Sequence, residues 1–414
     1  MTPYKPEVGL RVVGSLRHIW LVNLAFVLTL GTACSSRSVS PDAQAGGGTN
    51  MYARWTNGPP SGDDYFPIAV WLQDPSNAAR YRDAGINLYV ALWEGPTEEQ
   101  LAALQAAGMQ VICHQNDVGL AHMGDGTIVG WMHGDEPDNA QPLSDGSQGW
   151  GPPIPAADII ADYQRIRQRD PSRPVLLNLG QGVAWDGWYG RGVRTDHPED
   201  YVEYVKGADM VSFDIYPVAH PNAEIAGKLW YVANGVARLR GWAAPEQPAW
   251  NCIECTRINE DVRKATPHQV KAEVWMSLIH GSTGLIYFVH EWKPAFNEHA
   301  LLDDPEMLAA VTAVNQQILS LAPVLNSPTV VDGVQVASSA ADVPVATMVK
   351  ARGKDTYLFA VGMRDGATRA TFTLPGVKAS AHAEVLGEAR TVSLTDGHLV
   401  DDFGPYDVHL YRIR

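Results

Sequence analysis

The chain has 414 residues, 19% of them charged and 45% hydrophobic, with a formal net charge of −15 at pH 7. That length suits one large domain plus a small one, and the composition excludes a disordered or fibrous chain. An acidic balance without a basic cluster argues against nucleic acid and against direct binding to anionic lipid. Trp (13) and Tyr (15) outnumber Phe (8), so most aromatic side chains carry a polar handle suited to wet contacts.

Residues 1–33 read as an export signal. Lys5, Arg11 and Arg17 make a cationic start, Ile19–Leu30 is apolar apart from Asn23 and Thr29, and Gly31, Thr32 and Ala33 precede Cys34. The apolar run is short for a spanning helix. This order resembles the bacterial lipoprotein signal, which implies that Cys34 carries lipid and becomes the N-terminus, although Gly31 stands where that signal usually has Leu. Ser35 after the cysteine resembles outer-membrane sorting. The expected location is therefore the outer membrane or a site facing the periplasm, with membrane contact only through the anchor. Residues 34–50, rich in Ser and Gly, read as a flexible tether. Without the leader, 28 basic and 45 acidic residues remain, a net charge of −17. Cys113, Cys252 and Cys255 also remain, an odd number that allows one disulfide at most. Cys252 and Cys255 lie three apart with no second pair at zinc spacing, so no metal site is expected, and no cofactor is implied.

From Phe66 onward, short apolar runs alternate with helical stretches eight times. The runs are Phe66–Leu72, Ile86–Trp93, Met109–His114, Ile128–Met132, Pro174–Leu179, Met210–Val218, Pro248–Cys255 and Gly284–Trp292. Thr97 and Gln100 form a capping box that opens a helix over Glu98–Ala107, closed by Gly108. Ile159, Ile160, Tyr163 and Ile166 make a helical stripe over Ala156–Gln168. Ala223–Leu239 and Pro267–Ile279 follow the same pattern, with Pro267 in a first turn. Eight such units over about 250 residues predict a closed (β/α)₈ barrel across 51–327. An open doubly wound sheet is disfavoured because no Gly-rich phosphate turn follows the first run. After a last helix over Met307–Leu321, residues 328–414 break into short β-branched runs punctuated by Asp332-Gly333, Asp365-Gly366 and Asp396-Gly397, which predicts a small all-β sandwich.

Reactive groups of such barrels sit at the carboxyl ends of the strands. The predicted ends supply Trp71, Trp93, His114 with Asn116, then His133 with Asp135 and Glu136, Asn178, Asp214 with Tyr216, Glu254, and finally His290, Glu291 and Trp292. The fourth run breaks at Gly134 and delivers the acidic pair Asp135 and Glu136 before Pro137. A carboxyl at such a rim is half desolvated, which raises its proton affinity for acid/base work. Asp214 reads as an acceptor behind the catalytic groups, and Cys252 as packed. Trp185, Trp188 and Tyr189, in the Gly-rich stretch Gly180–Asp196, either stack on sugar faces or pack a core of their own. Arg191 and Arg194 beside them read as solvated.

A barrel with one Glu ending the fourth strand and another ending the seventh resembles the clan of retaining (β/α)₈ glycoside hydrolases. The resemblance covers Phe66 to about Leu321, and a closing strand such as P-Y-D-V-H-L-Y-R-I is similar to the end of their accessory sandwiches. It implies Glu136 as acid/base and Glu254 as nucleophile, Tyr216 as a donor to the nucleophile, and Trp292 as the floor of the reacting sugar's subsite. Their place at the strand ends makes Trp71, Trp93, His114, Asn116, Asp135, Asn178, His290 and Glu291 the candidates for carbohydrate contact. Asp135 departs from the clan, which usually has Asn there to bond the sugar's 2-hydroxyl. Two carboxyls about 5–5.5 Å apart would give double displacement. The expected function is a monomeric retaining glycoside hydrolase acting on an oligo- or polysaccharide. The alternatives are an inactive glycan-binding surface lipoprotein and a transglycosylase using the same two Glu.

Overall fold

The computed structural model of the protein describes residues 50–143, 147–258, 263–378 and 381–414; the leader and Cys34 lie outside them. Each of the eight predicted runs holds one strand: β1 Ile68–Trp71, β2 Leu88–Val90, β3 Gln110–His114, β4 Ile128–Met132, β5 Val175–Leu179, β6 Met210–Phe213, β7 Asn251–Glu254 and β8 Leu285–Phe288. All are parallel, in the order β6-β5-β4-β3-β2-β1-β8-β7. Parallel bridges from Val211 to Ala249 and from Asp214 to Cys252 join β6 to β7 and close the barrel. Closure explains why the runs are apolar throughout rather than alternating: both faces of every strand are covered. One face, with Leu88, Val90, Ile112, Met132, Leu176 and Ile286, fills the barrel. The other packs against the helices.

The helices are α1 Ala78–Asp83, α2 Glu98–Ala107, α3 Asp117–Ala121, α4 Ala156–Arg169, α5 Tyr201–Tyr204, α6 Trp230–Trp242, α7 Pro267–Ile279 and α8 Pro305–Leu325. Both helices that start on a Thr-x-x-Gln sequence form complete capping boxes, Thr97 with Gln100 and Thr266 with Gln269. Gly108 ends α2 in the left-handed conformation, at φ 66°. Thr97→Ala and Thr266→Ala are each expected to cost about 1 kcal/mol in denaturant unfolding. The helix predicted over Ala223–Leu239 instead begins at Trp230. Gly227, at φ 76°, turns the preceding segment, and its N–H bonds Pro217 O at 2.8 Å. Met51–Arg54 closes the end opposite the strands' carboxyl termini: the Tyr52 hydroxyl donates to Thr283 O and accepts from Trp250 Nε1 at 2.8 Å.

The C-terminal strands are β9 Gln335–Ser338, β10 Val345–Arg352, β11 Asp355–Gly362, β12 Thr368–Thr373, β13 His382–Val385, β14 Arg390–Ser393, β15 His398–Phe403 and β16 Val408–Ile413. They form a five-stranded sheet, β10-β11-β16-β13-β14, over a three-stranded one, β15-β12-β9. Leu358, Phe372, Leu399 and Tyr411 fill the space between the sheets. The β domain is anchored to the barrel. Trp275 of α7 meets Phe359 with ring centroids 5.2 Å apart, Arg364 stacks on Trp230 at 4.0 Å, and the Tyr406 hydroxyl donates to Gly227 O.

Candidate active site

The turn after β4 lies at the carboxyl ends of the barrel strands. Read alone, D-E-P-D-N is a polar turn, yet Asp138 is fully buried. One of its oxygens accepts from Gly180 N at 2.9 Å and the other from the Tyr201 hydroxyl at 2.8 Å. This pins the β4 turn to the segment after β5. Glu136 adopts φ 44°, a left-handed conformation that costs roughly 1 kcal/mol outside glycine. Its N–H donates to Asn178 O, and its own carbonyl accepts from Asn139 N. Asn139 Nδ2 donates to Glu136 Oε2 at 2.8 Å, while Asn139 Oδ1 accepts from Trp188 Nε1 at 2.8 Å. The fit is close: a Cβ on Gly180 would lie 2.8 Å from Asn139 and 3.0 Å from Glu136 Oε1.

Three carboxyls meet here. Burial and the adjacent charges of Asp214 and Asp135 hold the proton affinity of Glu136 well above the usual range. Asp214, just past β6, is raised by burial, while the neighbouring Glu136 and Tyr216 side chains favour its anion. The pair therefore holds its proton on Glu136. Asp214 Oδ1 is buried with no protein partner among the described residues. Asp135 is exposed, and nearby protein with the charge of Asp214 raises its proton affinity above the usual range. Asn178 Nδ2 donates to Asp135 at 2.9 Å, and Asn178 Oδ1 accepts from the Ser212 hydroxyl at 2.7 Å. A hydrogen-bonded line thus runs from β6 through β5 to the β4 turn and orients Asp135.

Glu254 is placed differently from the sequence expectation. It ends β7, but it is fully buried, and its two oxygens accept from the backbone amides of Val218 (2.6 Å) and Ala219 (2.8 Å). Glu273 of α7 lies against it as the protonated neighbour, raised by burial and by the charge of Glu254. The pKa of Glu254 is itself pushed to about 7, chiefly by burial. The segment after β6 folds over this carboxyl, so the group that meets Glu136 is Asp214. The expected Glu136–Glu254 pair is corrected accordingly.

The other predicted residues divide into two groups. Trp93 and Trp292 are exposed at the mouth, 39% and 42%, beside Phe296 at 50%. Tyr216 and Asn178 are buried and orient carboxyls. His114 is half-buried with its pKa lowered by burial. The remainder are taken up by structure. Trp71 packs inside the barrel, and Asn116 caps α3 by accepting from Gly119 N and also donates to Pro96 O. His290 is buried, with Nε2 at 2.9 Å from Leu72 O. Glu291 faces Arg257 at 3.8 Å. His133 is likewise committed, to Gly207 O and Asp162. Arg191 is buried, and both Arg191 and Arg194 pair with Asp200, so the reading of them as solvated does not hold. In the β5 segment Trp185 packs against Trp188 and His220, whereas Tyr189 is 62% exposed. Cys113, Cys252 and Cys255 are buried free thiols. Among the described residues no group of three His, Cys, Asp or Glu is arranged to hold a metal ion.

Comparison with solved structures bears on this fold. A variant of the protein AmyP in complex with maltotriose superposes with a TM-score of 0.51 at 11% identity, covering 88% of this chain and 98% of that one. The barrel is built like those of (β/α)₈ glycoside hydrolases. A noncanonic maltogenic α-amylase, AmyB from Thermotoga neapolitana, matches with a TM-score of 0.50 at 9% identity over 84% of this chain and 98% of its own. α-Galactosidase I from Mortierella vinacea matches at 0.49 and 11% identity over 85% and 97%. No protein-family model matches the chain, and no curated protein does.

Proposed function

We propose that this protein is a glycoside hydrolase that cleaves an oligo- or polysaccharide by double displacement, with Glu136 as the proton donor and Asp214 as the nucleophile. One observation carries the reading: Glu136 and Asp214 are close neighbours at the strand ends, and burial with the adjacent acidic charges raises the proton affinity of Glu136 well above the usual range while the neighbours of Asp214 favour its anion. A pair of carboxyls whose environments separate their proton affinities is the arrangement that acid and base roles need. The likeness of the fold to an α-amylase and to other sugar-binding barrels supports the same class.

In the first step an Asp214 oxygen attacks the anomeric carbon, the glycosidic C–O bond breaks, and the Glu136 proton passes to the leaving oxygen. In the second, Glu136 takes a proton from water as the water oxygen displaces Asp214, which regenerates both groups. Tyr216 holds Asp214 in place, and Asp135, fixed by Asn178, accepts hydrogen bonds from sugar hydroxyls. The test is the anomer of the first product followed by NMR during hydrolysis. Retention is expected, and an inverted first product excludes the covalent route. For Cys34 we propose lipidation after export, to the outer membrane or a site facing the periplasm; mass spectrometry of the mature N-terminus is expected to find a diacylglyceryl cysteine, and an unmodified N-terminus elsewhere refutes it.

A further inference from the structure

Two aromatic surfaces flank the carboxyls, and each is joined to a different one of them. On the β5 side, the exposed Tyr189 packs on Trp188 at 4.7 Å. Trp188 in turn donates to Asn139, which donates to Glu136. On the β8 side, Tyr216, a neighbour of Asp214, meets Phe288 at 5.1 Å, and Phe288 meets His290 at 5.0 Å. His290 stacks on Trp93 at 5.9 Å and 15°, and Trp292 lies 4.7 Å from Phe296. Trp93, Trp292 and Phe296 are all more than a third exposed. Exposed rings of this size attract the apolar faces of flat partners, and indole and phenol add a polar edge.

The chemistry gives the two surfaces direction. The proton donor stands beside the leaving group, and the nucleophile beside the sugar it captures. The ring surface joined to Glu136 therefore lies on the leaving-group side, and the one joined to Asp214 on the side of the captured sugar. Three carboxyls at the centre and a net charge of −15 disfavour an anionic chain. We infer that the site binds a neutral glycan chain on both sides of the scissile bond, with leaving-group sugars stacked on Tyr189 and Trp188 and captured-side sugars on Trp93, Trp292 and Phe296. Cleavage is then internal to a polymer rather than trimming of single sugars from its end. This inference rests on the roles proposed for Glu136 and Asp214.

The experiment measures the affinity of the full-length protein for labelled oligosaccharide ladders prepared from starch, xylan, cellulose, β-1,3-glucan and galactan. Affinity is expected to climb with chain length on one of these ladders. Tyr189→Ala and Phe296→Ala, both surface substitutions, are each expected to lower long-chain affinity about tenfold. Affinity that ignores chain length, a loss confined to one of the two variants, or no binding to any of the five ladders overturns the inference. The outcomes separate it from the catalytic reading. Chain-length-dependent binding without hydrolysis removes the catalytic reading, and with it internal cleavage, and leaves only the two-sided glycan binding. Hydrolysis of short aryl glycosides without chain-length dependence removes the inference alone.

Discussion

Asp214→Asn and Glu136→Gln are each expected to lower turnover by about 10²–10⁴-fold, and an activated phenol as leaving group separates them. A good leaving group needs little protonation, so it restores the glycosylation step of the Glu136 variant and leaves the Asp214 variant inactive. Azide supplied to Asp214→Ala fills the vacated space and gives a glycosyl azide of inverted configuration. The same addition to Glu254→Ala gives none, because the Glu254 carboxyl is enclosed by the Val218 and Ala219 amides. The pH profile is expected to be bell-shaped, with its acid limb set by ionisation of Asp214 and its basic limb by loss of the Glu136 proton. Azide rescue at Glu254 together with an active Asp214 variant reverses the assignment.

Glu254→Ala is expected to lower stability by about 3–5 kcal/mol, since it strips the acceptor from two buried backbone donors. Denaturant titration of the purified variant reads this directly, and a change below about 1 kcal/mol contradicts the buried bonding described above. The wild-type protein carries a linked pH dependence. The folded-state pKa of Glu254 is raised to about 7, above the ordinary carboxyl value near 4.3. Its proton binding therefore adds stability that is fully present below the ordinary value and is lost as pH rises through about 7. Asp135, Glu136, Asp214 and Glu273 are raised in the same direction. The melting temperature is expected to fall between about pH 5 and pH 8, and the Glu254→Ala variant to show a shallower fall.

Local chemistry determined the elements. The eight apolar runs, the Thr97–Gln100 cap and Gly108 mark strands and helix ends because burial, capping and left-handed φ are properties of a few neighbouring residues. α7 spans Pro267–Ile279 as its periodicity and Pro267 in the first turn predict. Two strands, Arg390–Ser393 and His398–Phe403, escape such reading because half of their side chains face solvent and their apolar signal is weak. The strand end that delivers Glu136 was equally legible.

What Glu136 meets was decided by tertiary structure alone. Asp214 lies 78 positions further along the chain, and its position beside Glu136 and Tyr216 exists only once β4 and β6 reach the same rim. Glu254 occupies the strand end that sequence reasoning assigns to it, yet the Val218–Ala219 backbone bends over it and takes both its oxygens. A strand end specifies where a carboxyl emerges. Whether that carboxyl then faces substrate or buried amides depends on how a loop from another strand folds across it, and no pattern within either segment encodes that.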